Sequence, residues 1–292
     1  MGLGGFLTQN PQKGCALITG AGGRLGRLLQ AAYAQSPNHL YRFEFQSRRP
    51  GADHQWSPGD DPELLPRCEA VIGLWGATSG SPAALSQNAQ LVSTTSELAQ
   101  AIGAKRVIHL SSAAVYGPGI SMNENHSVGH CSDYGKSKLE MENAARKQGQ
   151  TDGLTHMCLR LANVVGADSL APALQHAGPA TIDTFTSDPQ PPKGPLRSYI
   201  SASDLLRVLD GLLALPEIEW PAILNVACPE PIFMDALIRA ADKDVIWQPA
   251  PPTAVAEVTL DATYLQKLLP SLNFLSTAPA LIDDWRRLES LG

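Results

Sequence analysis

Tyr134 and Lys138 stand four residues apart in Tyr134-Gly-Lys-Ser-Lys138, a spacing that sets both side chains on one face of a helix. An isolated phenol titrates near about 10 and is a poor base at neutral pH. A neighbouring ammonium favours the phenolate, and each pKa unit it contributes is worth about 1.4 kcal/mol. Such a pair suits acid/base work on an alcohol–carbonyl couple. Upstream, His109-Leu-Ser-Ser-Ala-Ala-Val-Tyr-Gly117 ends an expected strand, where ligand chemistry gathers in open α/β sheets.

A second cluster reads as a phosphate site. Thr19-Gly-Ala-Gly-Gly-Arg-Leu-Gly26 places glycines at 20, 23 and 26, in the pattern G-x-x-G-x-x-G. The first allows a tight turn, the middle one lets backbone approach a pyrophosphate, and the last lets a helix pack close on its strand. Gly22, Arg24 and Leu25 share that turn, and Trp75 and Gly76, at the end of a later strand, are placed against the same ligand. The second strand ends in Gln46-Ser-Arg-Arg49, with no Asp or Glu to take a ribose 2′-hydroxyl; Glu44 lies in the strand interior. Ser47 and Arg48, helped by Arg24, suit a 2′-phosphate, so NADP is preferred and NAD remains possible. The plainer reading is a solvated basic turn.

These residues need elements to position them. Cys15–Thr19 is a continuous apolar run of the kind found in a parallel strand buried on both faces, and Leu25, Leu28, Leu29, Ala32 and Tyr33 follow at helical spacing. Further strands are expected at 40–45, 70–75, 106–110 and 156–161. Helices are expected around Leu91–Ile102 and 134–147. This alternation predicts an α/β fold with a doubly wound parallel sheet. Residues 167–196, rich in Pro, Gly, Ala and Asp, read as an excursion; 197–227 restore the pattern. The expected division is a dinucleotide-binding domain of 14–166 plus about 198–227, and a smaller, discontinuous C-terminal substrate-binding lobe of about 167–197 plus 228–292.

The bulk numbers narrow the function. Among 292 residues, 43% are apolar and 17% charged, enough for a core, and the net charge of −6 lacks the clustered cations of a nucleic-acid footprint. No apolar run approaches the roughly 18 residues of a membrane span, and the first residues lack a signal-peptide pattern. Five cysteines, odd in number and never spaced C-x-x-C, argue against a disulfide framework or a zinc site. No metal is expected. A reducing, cytoplasmic setting fits that pattern.

Together TGAGGRLG (19–26), LSSAAVYG (110–117) and YGKSKLEME (134–142) resemble the extended branch of the short-chain dehydrogenase/reductase family, with its epimerases, dehydratases and reductases. LRLANVVG (159–166), RSYISASDL (197–205), ILNVA (223–227) and VTLDATYLQKLLP (258–270) follow in the family's order. The resemblance implies a Rossmann-type sheet. Tyr134 would be the general acid/base, Lys138 would hold the nicotinamide ribose and lower the phenol pKa, and Ser112, with Ser111 the second choice, would bind the reacting oxygen. Asn163 would face the substrate. Tyr116 would line the pocket or simply pack. Arg197 matches the arginine with which 4-epimerases grip a nucleotide diphosphate, and Asn88 has a structural role. Ala113 and Ala114 stand where sugar 4,6-dehydratases carry an acidic pair. Residues 245–257 hold no cation for a second diphosphate arginine. The implied activity is therefore NAD(P)-dependent interconversion of an alcohol and a carbonyl on a small sugar-like or hydroxy-ketone substrate. The alternatives are a sugar or nucleotide-sugar epimerase with internally recycled cofactor, and an NADP-sensing regulator. A homodimer through the helices near 86–102 and 134–147 is expected. His126, His130 and Cys131 read as solvated loop residues, and His109 as core.

Overall fold

The computed structural model describes residues 14–36, 38–129, 132–186 and 190–291; the leader of 1–13, His130 and Cys131 lie outside them. The apolar runs become strands β1 (Gly14–Thr19), β2 (Tyr41–Ser47), β3 (His54–Gln55), β4 (Ala70–Gly73) and β5 (Arg106–Ser112). Next come β6 (Gly119–Met122), β7 (Thr155–Leu161), β8 (Asn163–Val164), β9 (Ala180–Thr184), β10 (Leu196–Arg197) and β11 (Tyr199–Ile200). The last are β12 (Ile223–Val226), β13 (Ile232–Phe233), β14 (Val245–Pro249) and β15 (Glu257–Leu260).

Seven of these form one sheet in the order β12-β7-β5-β4-β1-β2-β3, parallel throughout. From β1 the chain winds outward to β2 and then returns across to β4, so the winding reverses at β1. Ligands of doubly wound sheets bind at that reversal, beyond the carboxyl ends of the strands. Residues 16–18 and 70–72 have no exposed surface, which is why these strands read as unbroken apolar runs.

Helices α1 (Arg24–Gln35), α2 (Pro82–Ile102) and α3 (Asp133–Gln148) connect the first strands. Their ends follow local chemistry. Ser81 and Ser132 cap α2 and α3 by accepting from the amides of Ala84 and Gly135, and Gly103 closes α2 with a φ of 79°. The remaining helices are α4 (Ala171–Gln175), α5 (Ala202–Ala214), α6 (Met234–Ala240), α7 (Thr263–Leu268) and α8 (Ala278–Glu289).

Outside the main sheet, β13-β10-β15-β6 form a four-stranded sheet, and β9 with β14 and β8 with β11 form pairs. The small sheet thus borrows β6 from the first half of the chain. Helix α8 packs on both α6 and α1: its Leu281, Ile282, Trp285 and Leu288 share one buried cluster with Leu28 and Leu29 of α1 and with Leu237 and Ile238 of α6.

One expectation is corrected. Cys15 and Cys68, expected to be unpaired, are joined as a disulfide across 53 residues. Parallel pairing of β1 with β4 brings the start of β1 beside the segment entering β4, and the Glu69 amide donates to the Cys15 carbonyl at 2.8 Å. Sequence spacing could not show that approach. Cys158 and Cys228 are free and buried. Among the described residues, no helix is long and apolar enough to cross a membrane.

Candidate active site

Two glycines of the phosphate turn, Gly20 and Gly26, have no room for a side chain. At Gly20 the backbone has a φ of 73°, and a Cβ would meet the Trp75 amide nitrogen at 2.8 Å. At Gly26 a Cβ would fall 2.4 Å from the Ala21 Cα, so only glycine lets α1 lie this close to the end of β1. The Gly23 amide closes the turn onto the Gly20 carbonyl at 3.0 Å, and no side chain caps the amides that open α1. An open helix N-terminus and a glycine-lined turn fit the pyrophosphate of a dinucleotide.

A cavity of about 520 Å³ opens in front of this turn. Gly20, Gly22 and Gly23 line it together with Trp75 and Gly76, as expected, and so do Ser47 and Arg48. Arg49, which sequence reasoning passed over, joins them. Trp75 is steadied by its indole N–H, which donates to Thr95 Oγ1 at 3.0 Å. Four of the expected cofactor residues do not line the cavity, Lys138 among them. Gly26 is buried beneath the turn, Leu25 packs on the core, and Arg24 is exposed and donates to the Asp168 carbonyl at 3.3 Å.

The end of β2 carries no available carboxylate. Glu44 is held by Arg42 and by His54, the latter at 2.7 Å. Gln46 is buried; its Oε1 accepts from the Gly20 amide at 3.1 Å and its Nε2 donates to the Trp56 carbonyl. Ser47 Oγ accepts from the Arg49 amide at 3.1 Å, which folds the basic turn back over the strand end.

The acid/base residues gather at the carboxyl end of β5 and the first turns of α3. The Ser112 hydroxyl accepts from the Ala114 amide at 3.2 Å and stands near the half-buried Tyr134 phenol. Lys138 Nζ lies 5.8 Å from the centre of the Tyr134 ring and donates to the Leu110 carbonyl at 2.7 Å. Burial pulls Lys138 down to about 8, opposed by Cys158 and Glu142. Burial also raises the Tyr134 phenol above its ordinary value, and the nearby Ser112 hydroxyl only partly offsets it. The expected lowering by Lys138 is thus outweighed, and the phenol is neutral at neutral pH. The adjacent serine plays a different part: Ser111 donates to Glu142 Oε1 at 2.5 Å.

Other expected residues are placed less directly. Tyr116 is buried and its hydroxyl donates to Asn225 Oδ1 at 2.8 Å, which makes it a packed aromatic rather than a pocket wall. Asn163 is half-buried on β8 and stands opposite Tyr199 of β11 in the strand pairing. Arg197, expected to grip a diphosphate, instead directs its guanidinium into backbone carbonyls. Nη1 donates to Leu196 and Ala256 at 2.8 and 2.9 Å, and Nη2 to Val255 at 2.6 Å. Asn88 clasps Ala77 through both backbone groups and reaches Ser137 Oγ at 3.1 Å, joining α2 to α3. His109 is buried against His156, with ring nitrogens 2.9 Å apart, and His126 is exposed. Glu142 and Arg160 escaped sequence reasoning, although Glu142 stands one helical turn beyond Lys138.

Fold and side chains together define a Rossmann-type protein with a Ser–Tyr–Lys cluster at the carboxyl end of an interior strand. Residues 16–227 match the model of the NAD dependent epimerase/dehydratase family, and the chain belongs to that family. The resemblance to extended short-chain dehydrogenases/reductases is thereby borne out. Among solved structures it is similar to a variant of UDP-glucuronic acid 4-epimerase from Bacillus cereus in complex with a fluorinated UDP-sugar and NAD, with a TM-score of 0.75 and 16% identity. That match covers 95% of this chain and 100% of the other. UDP-glucose 4-epimerase of Thermus thermophilus with NAD matches at TM-score 0.70 and 19% identity, over 93% and 99% of the two chains. RMD from Pseudomonas aeruginosa with NADPH matches at TM-score 0.74 and 19% identity, over 96% and 100%. No curated protein matches the chain by sequence.

Proposed function

We propose that this chain is an NAD(P)-dependent oxidoreductase that interconverts an alcohol and a carbonyl on a small sugar-like or hydroxy-ketone substrate. The observation that carries it is the gathering of Ser112 and Tyr134 with Lys138, whose ammonium lies 5.8 Å from the centre of the phenol ring and is fastened to the Leu110 carbonyl on the strand of Ser112. A nicotinamide dinucleotide, when bound, supplies or accepts the hydride. Gly20, Gly22 and Gly23 would hold its phosphates, with Ser47, Arg48 and Arg49 at the adenosine end. Ser112 orients the substrate oxygen. Tyr134, neutral at neutral pH, is poised to donate its proton to a developing alkoxide, so carbonyl reduction is the direction in which the resting phenol already holds the needed proton.

NADP is the preferred cofactor in this reading. Supporting it, none of the residues lining the cavity is acidic, and Glu44 is committed to Arg42 and His54. Calorimetric titration with NADPH and NADH, repeated on Arg48→Ala, tests it: NADPH should bind tighter, and the preference should vanish in the variant. Equal or better NADH binding would overturn the preference, and no binding of either would overturn the cofactor site itself.

The epimerase reading uses the same three residues, and turnover without net change in cofactor absorbance would establish it. Against a nucleotide-sugar substrate stands Arg197, whose guanidinium is taken by carbonyls. Asn163 remains the proposed substrate-side amide. The division into a dinucleotide domain and a smaller lobe is proposed as expected, with α8 in contact with both.

The proposed assembly is a homodimer. Among the described residues, the exposed large apolar side chains all lie off α2 and α3, so a bundle dimer would rest on close packing of small and polar residues. Light scattering at micromolar protein decides it, a monomeric mass excluding the dimer. For a cytoplasmic location, the Cys15–Cys68 bond is the contrary observation, and a thiol count on protein purified under alkylating conditions weighs the two.

A further inference from the structure

Beneath the Ser–Tyr–Lys cluster lies a buried ion pair that the acid/base chemistry leaves unused. Glu142 and Arg160 have side chains each 4% exposed. Arg160 addresses the carboxylate with its fork, Nε to Oε1 at 3.0 Å and Nη2 to Oε2 at 2.8 Å. Oε1 also receives the Ser111 hydroxyl. The guanidinium lies 4.6 Å from the centre of the Tyr116 ring, and that phenol is tied to Asn225. A pair sealed in this way costs several kcal/mol of desolvation per ion, so stability alone is a poor reason to keep it.

The position of the carboxylate points to a role. Glu142 sits on the same face of α3 as Lys138, one turn on, while its Ser111 bond grips the residue next to Ser112. We propose that Glu142 is a positioning residue of the catalytic set: it is the buried counter-charge of the Lys138 ammonium and the tether of the strand end that carries Ser112. Its place in catalysis rests on the acid/base reading above, but the charge relation does not.

The groups facing Lys138 support the assignment to Glu142. On α3 itself these are Tyr134 and Glu142; from β5 comes His109, and from β7 Cys158. Burial raises Tyr134 and pushes Cys158 up to about 12, so both are uncharged near neutrality. Burial lowers His109 to about 3, so it too is neutral. Glu142 is the carboxylate among them, and it raises Lys138 although Arg160 is forked onto both of its oxygens.

The test follows Lys138 by carbon NMR in protein labelled at the lysine ε-carbon, its signal assigned by loss in Lys138→Met. No substrate is needed, so the result stands even if no carbonyl is ever turned over. In Glu142→Gln, which preserves a partner for Ser111, the Lys138 midpoint should fall by about one pH unit, a tenfold rise in the ratio of amine to ammonium at any given pH. In Cys158→Ala, a small core change, it should stay within about 0.3 units of wild type. A folded Glu142→Gln with an unmoved midpoint would overturn the proposal. If that variant does not fold, Cys158→Ala decides: a one-unit fall there would transfer the role to the thiol, and an unmoved midpoint upholds Glu142. Ser111→Ala tests the tether once a substrate is known. The kcat should fall at least tenfold with cofactor KM unchanged, and equal kcat would remove this part of the role.

Discussion

Lys138 Nζ donates a 2.7 Å hydrogen bond to the carbonyl of Leu110, two residues before Ser112 on the same strand. That bond fastens the first turns of α3 to the end of β5. The Tyr134 phenol and the Ser112 hydroxyl, which belong to different elements, are thereby held within reach of each other. The ammonium keeps donors to spare beyond the one it gives to the carbonyl.

Removing the phenol hydroxyl should remove the chemistry and little else. Tyr134→Phe is expected to lower kcat by about 10²–10⁴, the usual contribution of a placed acid/base. NADPH affinity by calorimetry should stay within about threefold, because the hydroxyl is not part of the phosphate cradle. Retained turnover would refute the assignment.

Lys138 sets an alkaline limit. Its folded value is lowered by burial to about 8, so the positive charge is present below that pH and lost as pH rises through it. The profile of kcat/KM against pH in the reductive direction should therefore decline with a midpoint near 8. A profile that stays flat well above that midpoint would mean that the charge plays no part.

Asp168 carries a stability signature of the opposite sense. Burial raises it to about 6 against the pulls of backbone amides and Arg24, and both of its carboxylate oxygens are sealed from solvent. The folded state holds this proton more tightly than an unfolded carboxyl titrating near about 3.9. Its contribution is full below that value and is lost as pH rises through about 6. Asp168→Asn should gain melting temperature relative to wild type as pH goes from about 5 to about 7.5, across the folded midpoint. A difference that does not change with pH would count against the burial.

Gly26 admits no side chain. A Cβ there falls 2.4 Å from the Ala21 Cα, backbone that cannot rotate aside. Gly26→Ala is expected to cost about 1–3 kcal/mol by denaturant unfolding, the range for overpacking a tight contact, and to weaken NADPH binding as the turn is displaced. Wild-type stability in this variant would show that α1 can shift freely.

The local features were legible in the sequence and the relations between distant segments were not. Strands β1, β4, β5 and β7 declared themselves as apolar runs because both faces of the sheet are covered, and the glycine turn declared itself by its place between strand and helix. Tyr134 and Lys138 followed from spacing within one helix, and Ser112 from the resemblance carried by the strand end before it. What stayed hidden depends on chain crossings. The Cys15–Cys68 bond needs β1 beside β4, the Glu142–Arg160 pair needs α3 against β7, and the carbonyls that occupy Arg197 come from residues 255 and 256. Tyr134 was misjudged for a related reason. The spacing shows that an ammonium is near, but the depth of burial that outweighs it comes from the whole fold.

Helix α8 packs on α1, the helix that opens at the phosphate turn. Residues 278–289 therefore complete the support of an element formed by residues 24–35, and while the earlier segment is being synthesised its partner has not yet left the ribosome. The buried cluster that α1 shares with α8 is therefore closed only once that much later segment has emerged.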